Sequence, residues 1–152
     1  MTGARVDHSD FRIANLSAAN LKDAHWRTVD LREANLSGAN LRKTDWFEVD
    51  MRGANLSGAG LSQSVVGRCD LHGANLSGAD WKDVHLSTCV LTGANLAGTN
   101  LRSADLEGCN LKGANLEGCD LHGLKLHGLD LGDLDLRGVD LNEAKLRMLA
   151  RR

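Results

Sequence analysis

The sequence predicts an all-β fold, a four-sided parallel β-helix whose chain turns a corner every five residues. Two nested periods and one compositional gap carry that expectation. Every fifth residue from Val6 to Leu146 is apolar. The triplet Ala-Asn-Leu begins at residues 14, 34, 54, 74, 94 and 114, a spacing of 20. The gap is aromatic: with 17 Gly, no Pro, no Tyr, 2 Phe and 3 Trp, the chain is poor in the rings on which a globular core usually leans.

The period of five suits neither regular element. On an α-helix, at about 100° per residue, a step of five turns about 140°, so the leucines would wander round the cylinder. On a flat strand, side chains alternate faces, and an odd period sends successive leucines to opposite sides. A chain that bends once per unit buries all of them. Each Leu then points to the axis, as does the small residue two before it (Ala14, Ala19, Ala24, Val29, Ala34), and the other three residues face out. The longer period sets the number of sides. Stacked units form ladders and come to resemble one another, so a repeat of 20 means four units per turn.

The phase never slips, so one domain over 1–152 is expected, with no inserted loop and about seven coils over roughly 6–140. At a strand spacing of about 4.8 Å that rod is roughly 34 Å long. The stretch Gly60-Leu-Ser-Gln-Ser-Val-Val-Gly67 fits worst, although Leu61 and Val66 hold phase. A solenoid must blunt its ends to avoid stacking. Residues 141–152 lack Gly and are rich in helix formers, and Asp140 and Glu143 have capping-box spacing. A short C-terminal helix is expected there, with Leu141, Leu146, Met148 and Leu149 as its cap or dimer contacts. Before it, Leu124, Leu129, Leu134 and Val139 enlarge the inward small position, which predicts a wider last coil. The first ten residues offer little cap and are a second candidate for self-association.

The units Ala34-Asn-Leu-Ser-Gly38, Ala74-Asn-Leu-Ser-Gly78 and Ala114-Asn-Leu-Glu-Gly118 resemble the A(D/N)LXX motif of the pentapeptide-repeat family. The resemblance covers most of the chain and implies a right-handed quadrilateral β-helix. It also implies a homodimer through the C-terminal ends, as in some members. Members that confer quinolone resistance or antibiotic self-immunity mimic B-DNA towards type II topoisomerases such as DNA gyrase, so a topoisomerase is one implied partner.

Sorting the outward residues by side gives four surfaces. The first carries the row Asp10, Asp30, Asp50, Asp70 and Asp130, shadowed by Arg12, Arg32, Arg52 and Lys112. That row has two readings. Asp in this slot serves the turn by accepting nearby backbone N–H groups, or it copies the charge of duplex DNA, which carries one charge per about 1.7 Å of axis. The second side carries the Asn15 to Asn115 ladder beside Ser and Gly, and is nearly uncharged. The third mixes Lys22, Arg42, Lys43, Lys82 and Arg102 with Asp23, Asp80, Asp83 and Asp120. The fourth breaks the pattern most, with His25, Val65, His85, Lys125 and Lys145 where Asp or Asn is expected. On that side Phe47 points outward, Arg27 should lie one coil below it, Val65 and Arg68 one coil above, and Glu48 beside it. An exposed aromatic among basic residues is a protein-contact element, so Arg27, Phe47, Glu48, Val65 and Arg68 are the candidate partner contacts.

Catalytic and metal chemistry are not expected. Cys69, Cys89 and Cys109 fall on successive coils in the inward small position, without CxxC spacing or a nearby His. A cross-coil disulfide would need a dihedral that parallel Cβ vectors make difficult. His25 and His85 lie three coils apart, roughly 14 Å, too far for one metal. A straight, filled rod has no obvious pocket. With a net charge of −2 there is no global pull towards nucleic acid or anionic membrane, and no apolar run approaches a span. The first residues lack the apolar stretch of a secretory signal, so a cytoplasmic protein with four reduced thiols is expected. The expected function is a non-enzymatic protein-interaction or scaffold rod without cofactor, and the alternative is a topoisomerase-directed DNA mimic giving quinolone resistance or self-immunity.

Overall fold

The computed structural model describes residues 1–125 together with Leu134 and Val139. One side of the coil forms a short strand in every turn: β1 (Arg5–Asp7), β2 (His25–Arg27), β3 (Asp45–Phe47), β4 (Val65–Gly67), β5 (His85–Ser87) and β6 (Asp105–Glu107). These stack as one parallel sheet in chain order. Val6 faces Trp26 and Trp26 faces Trp46, so the register is the repeat of the sequence. Each of the other three sides contributes a single bridge per turn, for example Asp10 to Asp30, Asn15 to Asn35 and Asn20 to Asn40. The described chain is thus a four-sided, all-parallel β-solenoid with five turns from β1 to β6, and no helix forms among the described residues. The helix expected over 141–152 and the last coils, with Leu129, lie outside the described residues. Within them, Leu124 is buried and Leu134 and Val139 pack partly buried against the core, as the enlarged inward positions require.

The corners explain the glycines. Except at Thr44, three corners per turn close with a bond from the fourth residue to the first, such as Ala14 N–H to the Phe11 carbonyl at 3.0 Å, Ala19 to Leu16 at 3.1 Å and Ala24 to Leu21 at 3.2 Å. The third residue takes a positive φ, the type II geometry that favours Gly. Gly38, Gly58, Gly78 and Gly98 fill that place on one side, whereas Ile13 is forced into it at φ 58°, an outlier for a β-branched residue. The corner after the strands is not closed this way from β1 to β5. His8, Thr28, Glu48, Arg68 and Thr88 occupy it at φ 48, 53, 55, 53 and 53°. At β6 the closing bond appears, Cys109 N–H to the Leu106 carbonyl at 3.1 Å, together with a glycine at Gly108.

Inside, the leucines and alanines form columns with no solvent access through the middle coils. Each buried Leu contributes about 2 kcal/mol of transfer free energy. The strand side departs from Leu: Trp26 and Trp46 stack with centroids 5.1 Å apart and planes 5° from parallel, and Phe11 meets Trp26 edge-on at 5.8 Å. Smaller residues beside the rings, Val6 and Val66 in the same column and Thr44 and Ser64 in the neighbouring one, take up the extra volume.

Those two hydroxyls account for the ill-fitting stretch around residue 64. The Thr44 N–H, which the repeat would aim at the Leu41 carbonyl, donates to Ser64 Oγ at 3.1 Å. The Leu41 carbonyl accepts from Thr44 Oγ1 at 2.6 Å and Ser64 Oγ at 2.8 Å instead. Trp46 Nε1 donates to Thr44 Oγ1 at 2.6 Å, so its buried indole N–H is satisfied. The indole N–H groups of Trp26 and Trp81 have no such partner.

Candidate functional site

The Asp row of the first side is tied up within the coil. Asp10 Oδ1 accepts the backbone N–H of Arg12 at 3.0 Å, and Asp30, Asp50 and Asp70 cap Arg32, Arg52 and His72 in the same way at 3.1, 3.2 and 2.9 Å. The guanidinium of each arginine then returns to its own Asp at 2.6 Å and reaches the next Asp up at 3.6–3.7 Å. The result is a zipper alternating acid and base from Asp10 to Asp70. Hydrogen bonds from the Arg12 side chain and backbone hold Asp10 down at about 2, and Arg32 lowers Asp30. At Asp50 burial pushes upward, but bonds from the Arg52 side chain and backbone outweigh it. A carboxylate depressed in the fold contributes stability that is present above its unfolded value, near 3.9, and is lost as pH falls through the folded value. Acid unfolding of the parent should therefore be steepest between about pH 4 and 2, and an Arg12, Arg32, Arg52→Gln triple variant should show a flatter thermal midpoint over that window. Parallel pH profiles for the two proteins would remove the zipper as a source of stability.

The second side repeats the device without charge. Each Asn caps the residue two places on, as Asn35 does Ser37 at 3.1 Å. Each also receives the amide of the Asn one coil above, at 3.4, 3.3, 3.3 and 3.3 Å from Asn35 to Asn115. The ladder is a structural spine, as stacked amides are in other parallel stacks.

The strand side holds the sequence-predicted contact residues together. Phe47 is half-buried rather than free. Arg27, its ladder partner from the coil below, lies with its guanidinium 5.2 Å from the ring centroid, and Arg68 reaches it at 5.5 Å. Both distances are within cation–π range. Arg68 also pairs with Glu48 at 3.4 Å. Val65 pairs with Asp45, diagonal to Phe47, and is 48 % exposed. The residue above Phe47 is Gly67, which the pattern of the sequence did not single out. A Cβ there would sit 3.4 Å from Phe47 Cδ2, so the ring packs closely over the glycine, with both guanidiniums in reach of it. Its signal was available: among the described residues it is the one glycine inside a strand, a mark of close approach. A groove of about 340 Å³ opens beside the ring, lined by Arg5, Asp7, His25, Trp26, Arg27, Asp45 and Phe47. His25 Nδ1 lies 2.8 Å from Asp45, and farther along Lys125 pairs with Asp105 at 3.2 Å.

The remaining candidates stand as follows. All four cysteines are free and buried. Bonding to Cys89 and burial push the Cys69 and Cys109 thiols up, and burial raises Cys119 to about 11. Cys89 is drawn the other way by its thiol neighbours Cys109 and Cys69, yet at 1 % exposure it is out of reach of any reagent at the surface. Among the described residues no group of His, Cys, Asp and Glu could hold a metal ion, and no helix is long and apolar enough to cross a membrane. The candidate end contacts Leu141, Leu146, Met148 and Leu149 lie outside the described residues.

Known structures share this coil. The chain is similar to QnrB1 (the R167E, trypsin-treated form), a plasmid-mediated fluoroquinolone resistance protein, at 23% identity over 95% of this chain and 83% of that one, with a TM-score of 0.55. At that identity the likeness is one of fold. HetL from the cyanobacterium Nostoc sp. strain PCC 7120, a pentapeptide repeat protein involved in heterocyst differentiation regulation, matches at 27% identity over 85% of this chain and 77% of that one, with a TM-score of 0.35. No curated protein sequence matches significantly. The pentapeptide-repeat profile matches residues 9–45, 69–108 and 99–138 in 8 copies. With capped corners, inward Leu and Ala columns and a twenty-residue register beneath those matches, the chain belongs to the pentapeptide-repeat family.

Proposed function

We propose that this chain is a non-enzymatic protein-interaction rod, a right-handed coil of about seven turns, roughly 34 Å long, whose contact surface is the strand side. The observation that carries the reading is the contact of Arg27 and Arg68 with the Phe47 ring beside that groove. It combines aromatic and guanidinium groups, the types enriched where proteins bind, on a side the fold does not need to decorate in this way. The first two sides, by contrast, spend their polar groups on the coil itself. A cytoplasmic rod, dimeric through its C-terminal end, is part of the same proposal.

A photo-crosslinking residue at position 47 should capture one defined protein in cell extract that the same residue at position 95 does not. Capture should fall about tenfold or more when Arg27 and Arg68 are both replaced by Ala, an order of effect typical of interface anchors. Equal capture from 47 and 95 would move the contact surface off the strand side.

The second reading, a mimic of duplex DNA that binds a type II topoisomerase, draws support from the likeness in fold to QnrB1. The zipper weakens it, because Asp10, Asp30, Asp50 and Asp70 are each matched by a neighbouring cation or turn N–H rather than left as free charge. Gyrase supercoiling assayed with and without a quinolone separates the readings. Neither inhibition nor protection at micromolar protein is expected from a rod that binds elsewhere.

A further inference from the structure

On the third side, residues 20, 40, 60, 80, 100 and 120 stack in one column. In five of the six turns the residue is Asn or Asp, and its side-chain oxygen accepts the N–H two residues on. Asn20 caps Lys22 at 3.4 Å, Asn40 caps Arg42 at 3.3 Å, Asp80 caps Lys82 at 3.3 Å, Asn100 caps Arg102 at 3.2 Å and Asp120 caps His122 at 3.0 Å. The sixth is Gly60, and the Ser62 N–H has no acceptor among the described residues. The Ser62 hydroxyl is also without a partner although the residue is 4 % exposed. Two polar groups under cover and unsatisfied in one turn cost more than a coil needs to bear.

The backbone does not demand glycine at that place. Gly60 lies outside the left-handed region, and a Cβ on it would meet nothing closer than Arg42 Cγ at 3.9 Å, an ordinary contact. A Cβ is accommodated there, so the cap is missing for want of a side chain rather than because the backbone excludes one. The column register sets Arg42 one coil below Ser62 and Lys82 one coil above it, with Lys43 alongside. None of these three cations forms an ion pair among the described residues, whereas Lys22 and Arg102 on the same side are matched by Asp23 at 3.7 Å and Asp120 at 3.4 Å. The nearest acid in the column, Asp80, is committed to the Lys82 N–H and to the Asn100 amide at 2.9 Å.

We propose that the Gly60–Ser62 notch binds a carboxylate, the side chain of an Asp or Glu carried by a protein partner. Its oxygen supplies from outside the cap that Asn40 and Asp80 supply from within, accepting from the Ser62 N–H and hydroxyl. Arg42, Lys43 and Lys82 select the charged carboxylate over a neutral amide. The notch lies one corner away from Val65, so a partner seated on the strand side could reach it with an acidic residue. The source of the carboxylate rests on the protein-binding reading above; the notch itself does not.

The test is done on the intact chain alone, by titrating a hexaglutamate peptide and, separately, inorganic phosphate, and following backbone amide resonances. The Ser62 amide should move downfield and saturate with the peptide. Arg42→Gln with Lys82→Gln should weaken that response roughly tenfold, the loss of about 1.4 kcal/mol. Gly60→Asp fills the slot in cis, so it should abolish the response and keep or raise the thermal midpoint. An unmoved Ser62 amide in the folded parent, or the same saturation in Gly60→Asp, overturns the proposal. Saturation by phosphate without saturation by peptide overturns the carboxylate assignment. Because no partner is used, these outcomes are independent of the crosslinking at position 47.

Discussion

Trp46→Ala is expected to lower the unfolding free energy by about 4 kcal/mol, within the range of large aromatic deletions in a packed core. The ring is 1 % exposed and stacks face to face on Trp26, a contact worth about 0.5–1.5 kcal/mol beyond its area. Collapse into the space is hindered. The coils above and below are pinned on all four sides by backbone bonds that repeat every turn, so the walls of the cavity cannot close. Guanidinium unfolding followed by circular dichroism measures the change. A loss below about 1 kcal/mol would mean that the stack is not sealed in the core. Trp46→Phe and Trp26→Phe divide the effect: the first gives up a hydrogen bond to Thr44 Oγ1, while the second removes an N–H that has no partner. The Trp46 variant should therefore be the less stable of the two.

Thr44→Val is expected to cost about 2–3 kcal/mol, although it hardly alters side-chain volume. It removes the acceptor of the Trp46 indole N–H and a donor to the Leu41 carbonyl, both at 2.6 Å. Orphaning a buried donor costs about 1–3 kcal/mol, and a Val for Thr exchange is not conservative where the hydroxyl is bonded. Ser64→Ala should destabilise too, since it leaves the Thr44 N–H without its acceptor. The double variant should cost less than the two single losses together, because the two hydroxyls lie 3.0 Å apart and either single change already breaks that bond. Strict additivity in a double-mutant cycle would show that the cluster is two separate contacts.

These cases mark where the pattern of residues runs out. Trp46 and Ser64 were legible as inward positions from phase alone, and the turn role of Asp10 and Asn35 followed from Asx chemistry. That Ser64 replaces a turn bond of Thr44 was not legible, because a hydroxyl and a methyl occupy the same small slot in a period of five. Phe47 was legible as outward and Arg27 as its neighbour below. Its half-burial was not, since that depends on Gly67 above it and on two long side chains folding back over the ring. The missing cap at Gly60 was not legible for a related reason: a gap in one column matters only when the cations beside it lack ion pairs, as they do among the described residues.

What the sequence determined by itself is the coil: four sides, twenty residues per turn, Leu and small residues inward and caps at the corners. Those properties are local or strictly periodic, so the two nested repeats specify them without knowledge of the wound chain. Only the tertiary structure decided what the outward side chains do. Arg12 binds its own Asp10 and reaches Asp30 on the next turn, and the same types on the third side leave Arg42 and Lys82 without an ion pair among the described residues. The choice depends on side-chain reach and angle between coils about 4.8 Å apart. Residues twenty positions apart meet only after the chain has wound, so a linear pattern marks who can meet and the stacked coils select who does.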